Sequence, residues 1–404
     1  MRIAVAQLGA RRHYAVPWLL HELGLLERLF TDSYIGNKRW LEGALQAMPR
    51  AWRPGGVDRW LARTEPRLPP EKVTSFELFG LWRTQCEARI QSSRERALFF
   101  AERNRLFNER VLRRGLGSAD MVWGFNGEAL ELFQRAKTYG LRCVLEQTIA
   151  PRRIMRELLG KELSRWPGWE PGLDVPPMDD PLERREEAEW KLADLIIAGS
   201  EFVAEALVHC GVPEARCQVV PYGVDTSRFK PKPPRDRIGD ERLRILFAGE
   251  VGLRKGAPYL LEALRQLGSR RVEARFAGRV VLEPARLTPY RDVVTFLGPV
   301  PRSRMPELYH WADVLVLPSI CEGSALVVYE AMASSLPVIC TQNTGPVTAA
   351  GDCIVVPRAD VDIITKKLLY FSLLRGNGTS LQRYSGFSLP MYRERLQCVL
   401  SSIH

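Results

Sequence analysis

Two glutamates eight residues apart, Glu322 and Glu330, are the residues of this chain whose type and spacing most directly suggest chemistry. Glu322 follows an apolar run, residues 312–319, that predicts a short buried strand, and the residues after Glu322 predict a helix. Eight residues are about 2.2 turns at ~3.6 residues per turn, so both carboxylates are expected on about the same side. Open α/β sheets bind ligands at the carboxyl ends of their strands. Because free amides at a helix start bind phosphate and carboxylates accept from hydroxyls, the pair suggests a nucleotide-sugar site.

The context of Glu330 argues against a purely structural role. A glutamate at a strand–helix junction can be a cap, and a glutamate within a helix is often a solvated surface group. Glu330, however, is flanked by apolar residues on both sides, VVY before it and AMA after it. A carboxylate in that setting is expected to be partly enclosed and to need hydrogen-bonding partners.

A second group of residues, 248–258, follows another apolar run and precedes a helix-like segment. Its three glycines permit tight turns, and Arg254 and Lys255 bring two cations to the start of the helix. Such a loop suits an anion, although glycine turns beside a lysine are common. Its position in the same half of the chain as the two glutamates makes it informative. One site would then hold phosphates by cations and amides, and hydroxyls by carboxylates.

The elements that position these groups are predicted to form two α/β units. Strand-like and helix-like runs alternate through both halves of the chain, which indicates doubly wound architecture. The polar, proline-rich segment 226–240 predicts a linker. We therefore expect a front domain over residues 1–225 and a back domain over residues 241–404. The pattern leaves open whether the last amphipathic helix packs back on the front domain.

Within the front domain, apolar runs predict strands at residues 2–8, 119–125, 142–148 and 217–225. Residues 34–81 are rich in tryptophan, proline and arginine. That segment predicts an irregular insertion lying over the sheet.

Composition limits the classes of function. Apolar residues make up 46% of the 404 residues, which is enough for two cores. No run of about eighteen apolar residues predicts a spanning helix, and the start of the chain lacks the layout of a signal peptide. The eight cysteines are scattered, with no metal-like spacing to the five histidines. We expect free thiols in a reducing cytoplasm and no bound metal.

The formal net charge of +11 is unevenly distributed, and residues 1–175 carry +9 of it, with 29 Lys and Arg against 20 Asp and Glu. A basic surface suits an anionic membrane, nucleic acid or plain solvation, and no nucleic-acid-binding motif accompanies it, so no nucleic-acid partner is expected. Trp52, Trp60 and Phe99 are expected to be exposed aromatics. Together with the charge they favour a cytoplasmic protein in peripheral contact with the inner face of an anionic membrane.

The segments IIAGSEFVAEAL, VVPYGVDTSRF, LFAGEVGLRKGAPYLLEAL, VTFLGPV, ADVLVLPS and EGSALVVYEAMASSLPVI together resemble the retaining GT-B glycosyltransferases of family 4. The resemblance covers essentially the whole back domain and only the outline of the front domain. It implies a GT-B fold of two Rossmann-like doubly wound domains facing a central cleft. It also implies an acceptor-binding front domain, a donor-binding back domain and a place in bacterial polysaccharide biosynthesis.

The resemblance also assigns roles by position. Glu322 is expected to bind the donor sugar and Lys255 the diphosphate, and these two form the expected catalytic pair. Glu330 would accept from the ribose hydroxyls, and the backbone near Val300 would border the base. The expected donor-binding residues are Gly249, Arg254, Lys255, Val300, Glu322, Gly323, Ser324, Ala325, Leu326, Val327 and Glu330.

Some positions depart from the family pattern. Glu250 stands where many relatives carry an arginine, so Arg254 is expected to supply the missing cation. On the acceptor side, Gly9 lies in the first loop, where acceptor-binding turns sit in this family. His13 belongs to the segment that replaces the commoner paired glycines of that loop. Glu146 belongs to a strand that resembles the one where relatives often carry a histidine near the donor sugar.

These features together predict a metal-independent retaining glycosyltransferase without a cofactor. It would move a hexosyl-type sugar from a UDP- or GDP-sugar to a hydroxyl of a glycan or lipid-linked glycan. The alternative is a non-catalytic partner protein of the same fold that binds a sugar nucleotide or a polysaccharide. A dinucleotide-dependent enzyme is disfavoured because no G-x-G-x-x-G opens a helix after a strand.

Overall fold

Two separate parallel sheets form the framework of the protein. A computed structural model describes residues 1–49, 52–53, 56–90, 92–173, 175–231, 242–346, 353–374 and 387–402. In the front sheet the strands lie in the order β3-β2-β1-β4-β5-β6-β7. Their bounds are β1 Ile3–Gln7, β2 Leu26–Thr31, β3 Val73–Ser75, β4 Met121–Phe125, β5 Arg142–Gln147, β6 Leu195–Ala198 and β7 Cys217–Val219.

The back sheet has the order β10-β9-β8-β11-β12-β13. Its strands are β8 Leu243–Ala248, β9 Val272–Ala277, β10 Val294–Gly298, β11 Val314–Leu317, β12 Val338–Thr341 and β13 Cys353–Val356. The strand order reverses between β1 and β4 in front and between β8 and β11 behind. These are the topological switch points at which open α/β sheets form ligand crevices.

Helices connect the strands and cover both sheets. In the front domain they are α1 Ala15–Glu22, α2 Arg39–Ala47, α3 Val57–Leu61, α4 Glu77–Glu87, α5 Ser93–Arg114, α6 Leu130–Thr138, α7 Arg152–Arg165, α8 Pro181–Leu192 and α9 Glu201–His209. The remaining helices are α10 Ala257–Leu267, α11 Pro284–Leu287, α12 Met305–Trp311, α13 Leu326–Ala333, α14 Val361–Leu374 and α15 Leu389–Ser401. Because parallel strands are covered on both faces, central strands such as β4 and β11 are continuously buried. The predicted α/β doubly wound architecture is confirmed.

Two front-domain predictions need correction. Residues 34–81, predicted to be irregular, contain α2, α3, the start of α4 and the edge strand β3, which pairs in parallel with β2. The strand predicted over residues 217–225 ends at Val219. Two residues later comes Pro221, which has no amide hydrogen to donate to a neighbouring strand. Residues 232–240 of the predicted linker lie outside the described residues.

The last helix, α15, lies against the front domain. The hydroxyl of Tyr392 accepts a hydrogen bond from Arg12 Nη1 at 2.6 Å, and the ring of Tyr392 packs edge-on against that of Tyr222. Nearer the surface, Arg393 pairs with Glu22. In the part of the chain that the structure describes, no helix is long and apolar enough to cross a bilayer.

Two buried acids on α8 hold the loops at the carboxyl ends of β4 and β5. Glu189 accepts from the amides of Gly127 and Ala129 at 2.6 and 2.8 Å, and so caps α6. Glu186 accepts from the amide of Arg152 at 2.9 Å and from Gln147 Nε2 at 2.7 Å. Burial raises the pKa of Glu186 to about 7 and that of Glu189 to about 8, although these hydrogen bonds oppose the shift.

The raised pKa of Glu186 predicts a stability that falls as the pH rises. Above its ordinary value of 4.5 the unfolded chain releases this proton, while the folded chain keeps it until about pH 7. The free energy of unfolding should therefore decrease through this range. The glutamine of the Glu186→Gln variant cannot ionise. The decrease in the free energy of unfolding over this pH range should therefore be smaller in the variant by up to about 3 kcal/mol. Urea denaturation at pH 5, 6, 7 and 8 measures the effect.

Glu187→Gln is the matched control, because Glu187 is the next residue and is exposed. It should keep the pH dependence of the wild type. If the free energy of unfolding changed with pH equally in the two variants, Glu186 would not keep its proton in the folded protein above its ordinary pKa.

Candidate functional site

The switch point of the back sheet brings two loops together. The first is the cation loop, residues 249–256, between β8 and α10; the second is the glutamate loop, residues 318–325, between β11 and α13. The carbonyl of Arg254 accepts from the amides of Ile320 and Cys321 at 2.9 and 3.3 Å, which fixes one loop to the other. Gly256 has a φ of 68°, and a Cβ there would lie 1.9 Å from the carbonyl oxygen of Pro318. Only glycine therefore fits this junction.

At the junction two cations share one carboxylate. The carboxylate of Glu322 accepts from Arg254 Nη1 and lies 2.9 Å from Lys255 Nζ. Burial alone would raise the pKa of Glu322, but Lys255 and Arg254 outweigh it, so the pKa lies below its ordinary value. Burial, together with the nearby Arg254, lowers the pKa of Lys255 although Glu322 opposes this. This charge triad (Arg254, Lys255 and Glu322) carries one net positive charge in a partly enclosed place, where an anion would be stabilised.

The start of α13 adds hydrogen-bond donors to the same crevice. Within the described ranges, the amides of Leu326 and Val327 donate to no acceptor of the protein, as is usual in the first turn of a helix. The amide of Ala325 donates to the carbonyl of Thr344. Ser324 instead bonds Tyr329 at 2.8 Å, so its hydroxyl is engaged by the protein. Within the predicted segment 322–327, Glu322 therefore contributes a charge to the crevice and Leu326 and Val327 contribute free amides. The hydroxyl of Ser324 is used within the protein.

Glu330 lies about one turn along α13 and has partners of its own. It is 5% exposed, accepts from the hydroxyl of Tyr309 at 2.8 Å, and lies 3.4 Å from Arg302 Nη2. Burial raises its pKa, although Tyr309 and Arg302 oppose the shift. Val300, half-buried in the loop after β10, is two residues from Arg302. The structure thus brings the regions of Glu330 and Val300 together through an arginine that the sequence analysis missed.

Glu250 is near enough to the two cations of the charge triad to favour their charged forms, but among the described residues it forms no ion pair with them. Its carboxylate pairs with Arg279, two residues after β9. Arg254, four residues further on in the same loop, is the residue whose guanidinium reaches Glu322. The structure therefore places a cation beside Glu322 at position 254, while Glu250 pairs elsewhere.

The first loop of the front domain has an unusual backbone. Arg12, His13 and Tyr14 all have positive φ, at 46°, 53° and 60°. Residues other than glycine rarely adopt this left-handed region. Arg12 compensates for this strain with several contacts. Its guanidinium pairs with Glu146, donates to Tyr392 and lies 3.9 Å from the ring centre of Tyr222.

The three acceptor-side predictions meet different environments. The amide of Gly9 donates to Asp32 Oδ1 at 2.7 Å. His13 is exposed at the surface of its loop. Partial desolvation of the imidazole and the nearby cations Arg302 and Arg228 lower its pKa to about 4, so it is neutral at pH 7. Glu146 is fully buried beneath the pairing with Arg12, so it offers no surface to an acceptor. A carboxylate there holds the strained loop in place.

The glutamate loop is seated directly on the front domain. A Cβ on Gly323 would lie 1.8 Å from the carbonyl oxygen of Thr148, and the carbonyl of Gly323 accepts from the hydroxyl of Ser200. Thr148 is held in turn by Asn126, whose side-chain oxygen accepts from its amide and its hydroxyl. The position of the charge triad is therefore fixed from both domains.

The prediction of three exposed aromatic residues is correct for one of them. Trp52 is 77% exposed as predicted. Trp60 is half-buried and donates its indole hydrogen to Ser33, and Phe99 packs against Trp82. Among the described residues no group of three or more His, Cys, Asp or Glu side chains could hold a metal ion.

Two family models match parts of both domains. Residues 242–372 match the family model described as glycosyl transferases group 1, and residues 171–228 match that of glycosyltransferase family 4. A D-inositol 3-phosphate glycosyltransferase of Catenulispora acidiphila is 32% identical over 182 residues, which are 40% of this chain and 43% of that protein. A putative colanic acid biosynthesis glycosyltransferase of Escherichia coli is 29% identical over 46% of this chain and 49% of its own length. The chain thus spans less than half the length of these curated relatives.

Solved structures share the fold over the whole chain. Anabaena HepE in complex with UDP and glucose has a TM-score of 0.58 at 14% identity, with 100% of both chains covered. An Escherichia coli structure described as trehalose-6-phosphate bound with UDP-2-fluoro glucose has a TM-score of 0.59 at 14% identity, covering 100% of this chain and 98% of that one. The two parallel sheets and these neighbours confirm the GT-B fold, and the matches over residues 171–228 and 242–372 show that parts of both domains are similar to glycosyltransferases of group 1 and family 4.

Proposed function

We propose that the protein is a retaining glycosyltransferase that moves a hexosyl-type sugar from a UDP- or GDP-sugar to an acceptor hydroxyl. The observation that carries this proposal is the charge triad beside the unpaired amides of α13. One net positive charge and two free N–H groups meet at one crevice, and a diphosphate complements both. Solved structures of the same fold are described as complexes with UDP, glucose or a UDP-sugar, which agrees with this choice of donor.

The triad would act mainly on the leaving group. In the reaction the bond from the anomeric carbon to the diphosphate oxygen breaks, and the acceptor oxygen bonds to that carbon. Negative charge grows on the diphosphate, which also receives the hydroxyl proton of the acceptor. Lys255, Arg254 and the α13 amides are fixed before the reaction, so they would stabilise this charge without reorganising. No metal or cofactor is required by this scheme.

Glu322 and Glu330 would bind rather than transfer protons. Glu322 holds the two cations in place and keeps further lone pairs for hydroxyls of the donor sugar. Glu330 would accept from the ribose, beside the base bordered by residues near Val300. Because Tyr309 and Arg302 each occupy one of its oxygens, the orientation of the carboxylate is set before the donor arrives.

The acceptor would be a glycan or lipid-linked glycan bound by the front domain. That domain exposes large apolar side chains on and near its outer helices: Trp40, Trp52, Leu78, Leu81 and Leu98 are each more than half exposed. Surrounded by a basic surface, they suit peripheral contact with an anionic membrane on the cytoplasmic side.

Lys255→Met tests the role of the triad. Removing one cation from the leaving-group site should lower the rate of UDP-sugar or GDP-sugar turnover by roughly 100-fold. Donor hydrolysis with crude glycan acceptors gives the rate, and titration calorimetry with UDP and GDP gives binding. Lys366→Met, at an exposed position of α14, is the control and should leave both unchanged. Donor binding by the wild type without any turnover would instead identify a non-catalytic partner protein.

Glu330→Gln tests the ribose contact. The amide keeps the size of the side chain but offers only one acceptor oxygen, so the dissociation constant of UDP or GDP should rise about tenfold. Turnover at saturating donor should change little. Glu307→Gln is the control, because Glu307 lies on the exposed side of α12. An unchanged dissociation constant, in a protein where Lys255→Met does weaken donor binding, would place the ribose elsewhere.

Gly323→Ala tests whether the closed arrangement is needed. The added methyl group would collide with the backbone of Thr148, so the domains must separate at this contact. We expect a fall in turnover of more than tenfold and a larger radius of gyration in X-ray scattering. Gly160→Ala, where the methyl group meets open space on α7, should change neither quantity. A variant that kept both wild-type values would show that the contact is dispensable.

A further inference from the structure

A group of arginines lies at the carboxyl edge of the front sheet, outside the proposed donor site. Arg11 follows β1, Arg63 follows α3, Arg83 lies on α4 and Arg103 lies on α5. All four are mostly buried, with between 8% and 29% of the residue or side chain exposed. The four positions are far apart in sequence, so the fold brings them together. We call them the arginine cluster.

We propose that the arginine cluster binds a phosphate or diphosphate group carried by the acceptor. As a statement about the acceptor this rests on the proposed function. As a statement about anion binding it stands on the geometry of the cluster alone.

Two carboxylates, those of Asp32 and Glu128, anchor the cluster, and each accepts from both an arginine and a backbone amide. Asp32 pairs with Arg63 at 2.9 Å and with Arg83 at 3.3 Å, and also accepts from the amide of Gly9. Glu128 pairs with Arg11 and accepts from the amide of Leu8. Because Leu8 and Gly9 are consecutive, the two anchors lie side by side at the end of β1. Four guanidinium groups therefore face two carboxylates.

Part of this positive charge has no carboxylate partner among the described residues. Arg103 is 8% exposed and forms no ion pair there; its Nε donates to the side-chain oxygen of Asn104, and its guanidinium lies 4.3 Å from the ring centre of Phe100. The Nε atoms of Arg83 and Arg11 are buried and make no hydrogen bond among the described residues. Burial lowers the pKa of Arg103, and Arg83 and Arg11 lower it further, while Glu128 and Glu87 oppose the shift. Unpaired buried cations are costly, which indicates that a ligand completes the group.

The chemistry of the group selects a dianion. The four guanidinium groups exceed the two anchoring carboxylates by two positive charges, and a guanidinium group can donate two parallel hydrogen bonds to phosphate oxygens. The site adjoins Gly9, in the loop that carries His13 to the neighbourhood of Arg302 in the back domain. It also adjoins the exposed apolar residues Leu78 and Leu81, which precede Arg83 on α4. A phosphorylated acceptor would thus be held by its anion while its hydroxyl points towards the donor.

The test is a calorimetric titration of UDP-saturated protein with inorganic pyrophosphate. Saturation with UDP keeps the probe away from Lys255 and Arg254. The wild type should bind one pyrophosphate, and Arg83→Gln and Arg103→Met should each bind it at least tenfold more weakly. Arg113→Gln is the matched control, because Arg113 is 74% exposed on the same helix as Arg103. It should stay within about twofold of the wild type.

A second measurement separates a binding role from a structural one. Removing the unpaired buried cation in Arg103→Met should leave the melting temperature of the ligand-free protein equal or higher, and should abolish its rise with pyrophosphate. The proposal fails if pyrophosphate does not bind to the UDP-saturated wild type, or if both cluster variants bind it as the wild type does. Failure of UDP binding would overturn the proposed function alone, since pyrophosphate titration of UDP-free Lys255→Met still reports on the cluster.

Two further probes identify the source of the phosphate. Glycerol 3-phosphate represents a soluble phosphate ester, and phosphatidylcholine vesicles containing phosphatidic acid represent a lipid-borne one. Arg103-dependent binding of glycerol 3-phosphate supports a soluble phosphorylated acceptor. Arg103-dependent sedimentation with the phosphatidic acid vesicles supports a lipid-linked one. Binding of either probe that is insensitive to both Arg83→Gln and Arg103→Met counts against the cluster.

Discussion

The site depends on one electrostatic constraint: two cations must stay close together in a partly buried place. A buried pair of like charges is unfavourable, and Glu322 makes it tolerable by accepting from both Arg254 and Lys255. The loop geometry serves this purpose. Strands β8 and β11 pair directly at the switch point, and the loops that follow them are fixed together by the carbonyl of Arg254. The result is one net positive charge held beside the free amides of a helix start.

The second domain completes this arrangement. The glutamate loop rests on the backbone of Thr148, so the carboxylate cannot shift without moving the front domain. Further from the triad, Tyr259 on α10 donates to Glu162 on α7 at 2.6 Å, and the amide of Leu253 donates to Glu170 at 2.6 Å. These contacts reach the cation loop and the helix that follows it. Both loops of the site are therefore coupled to the position of the front domain.

The sequence correctly indicated that Glu322, Arg254 and Lys255 lie at one sheet edge, because the segments that carry them are local. Glu322, Arg254 and Lys255 lie in strand–loop–helix segments whose composition indicates both the structure and the chemistry. The front domain was harder. The edge strand β3 has only three residues, too few for an alternating pattern. Arg12 bonds Glu146 and Tyr392, which are 134 and 380 residues away in sequence, so its role follows only from the tertiary structure. Arg302 was missed for the same reason, since its partner Glu330 lies on another element.

Several energetically unfavourable features lie at the carboxyl edges of the two sheets, where substrates are expected to bind. The first loop has three consecutive residues of positive φ, the arginine cluster contains buried donors without partners among the described residues, and the charge triad is one anion short. Each feature lowers the stability of the ligand-free protein, and each is held in place by rigid neighbours such as Glu146, Asp32 or Glu322. Anionic ligands at the arginine cluster and at the charge triad would each offset part of this cost, and the free energy recovered would then favour binding.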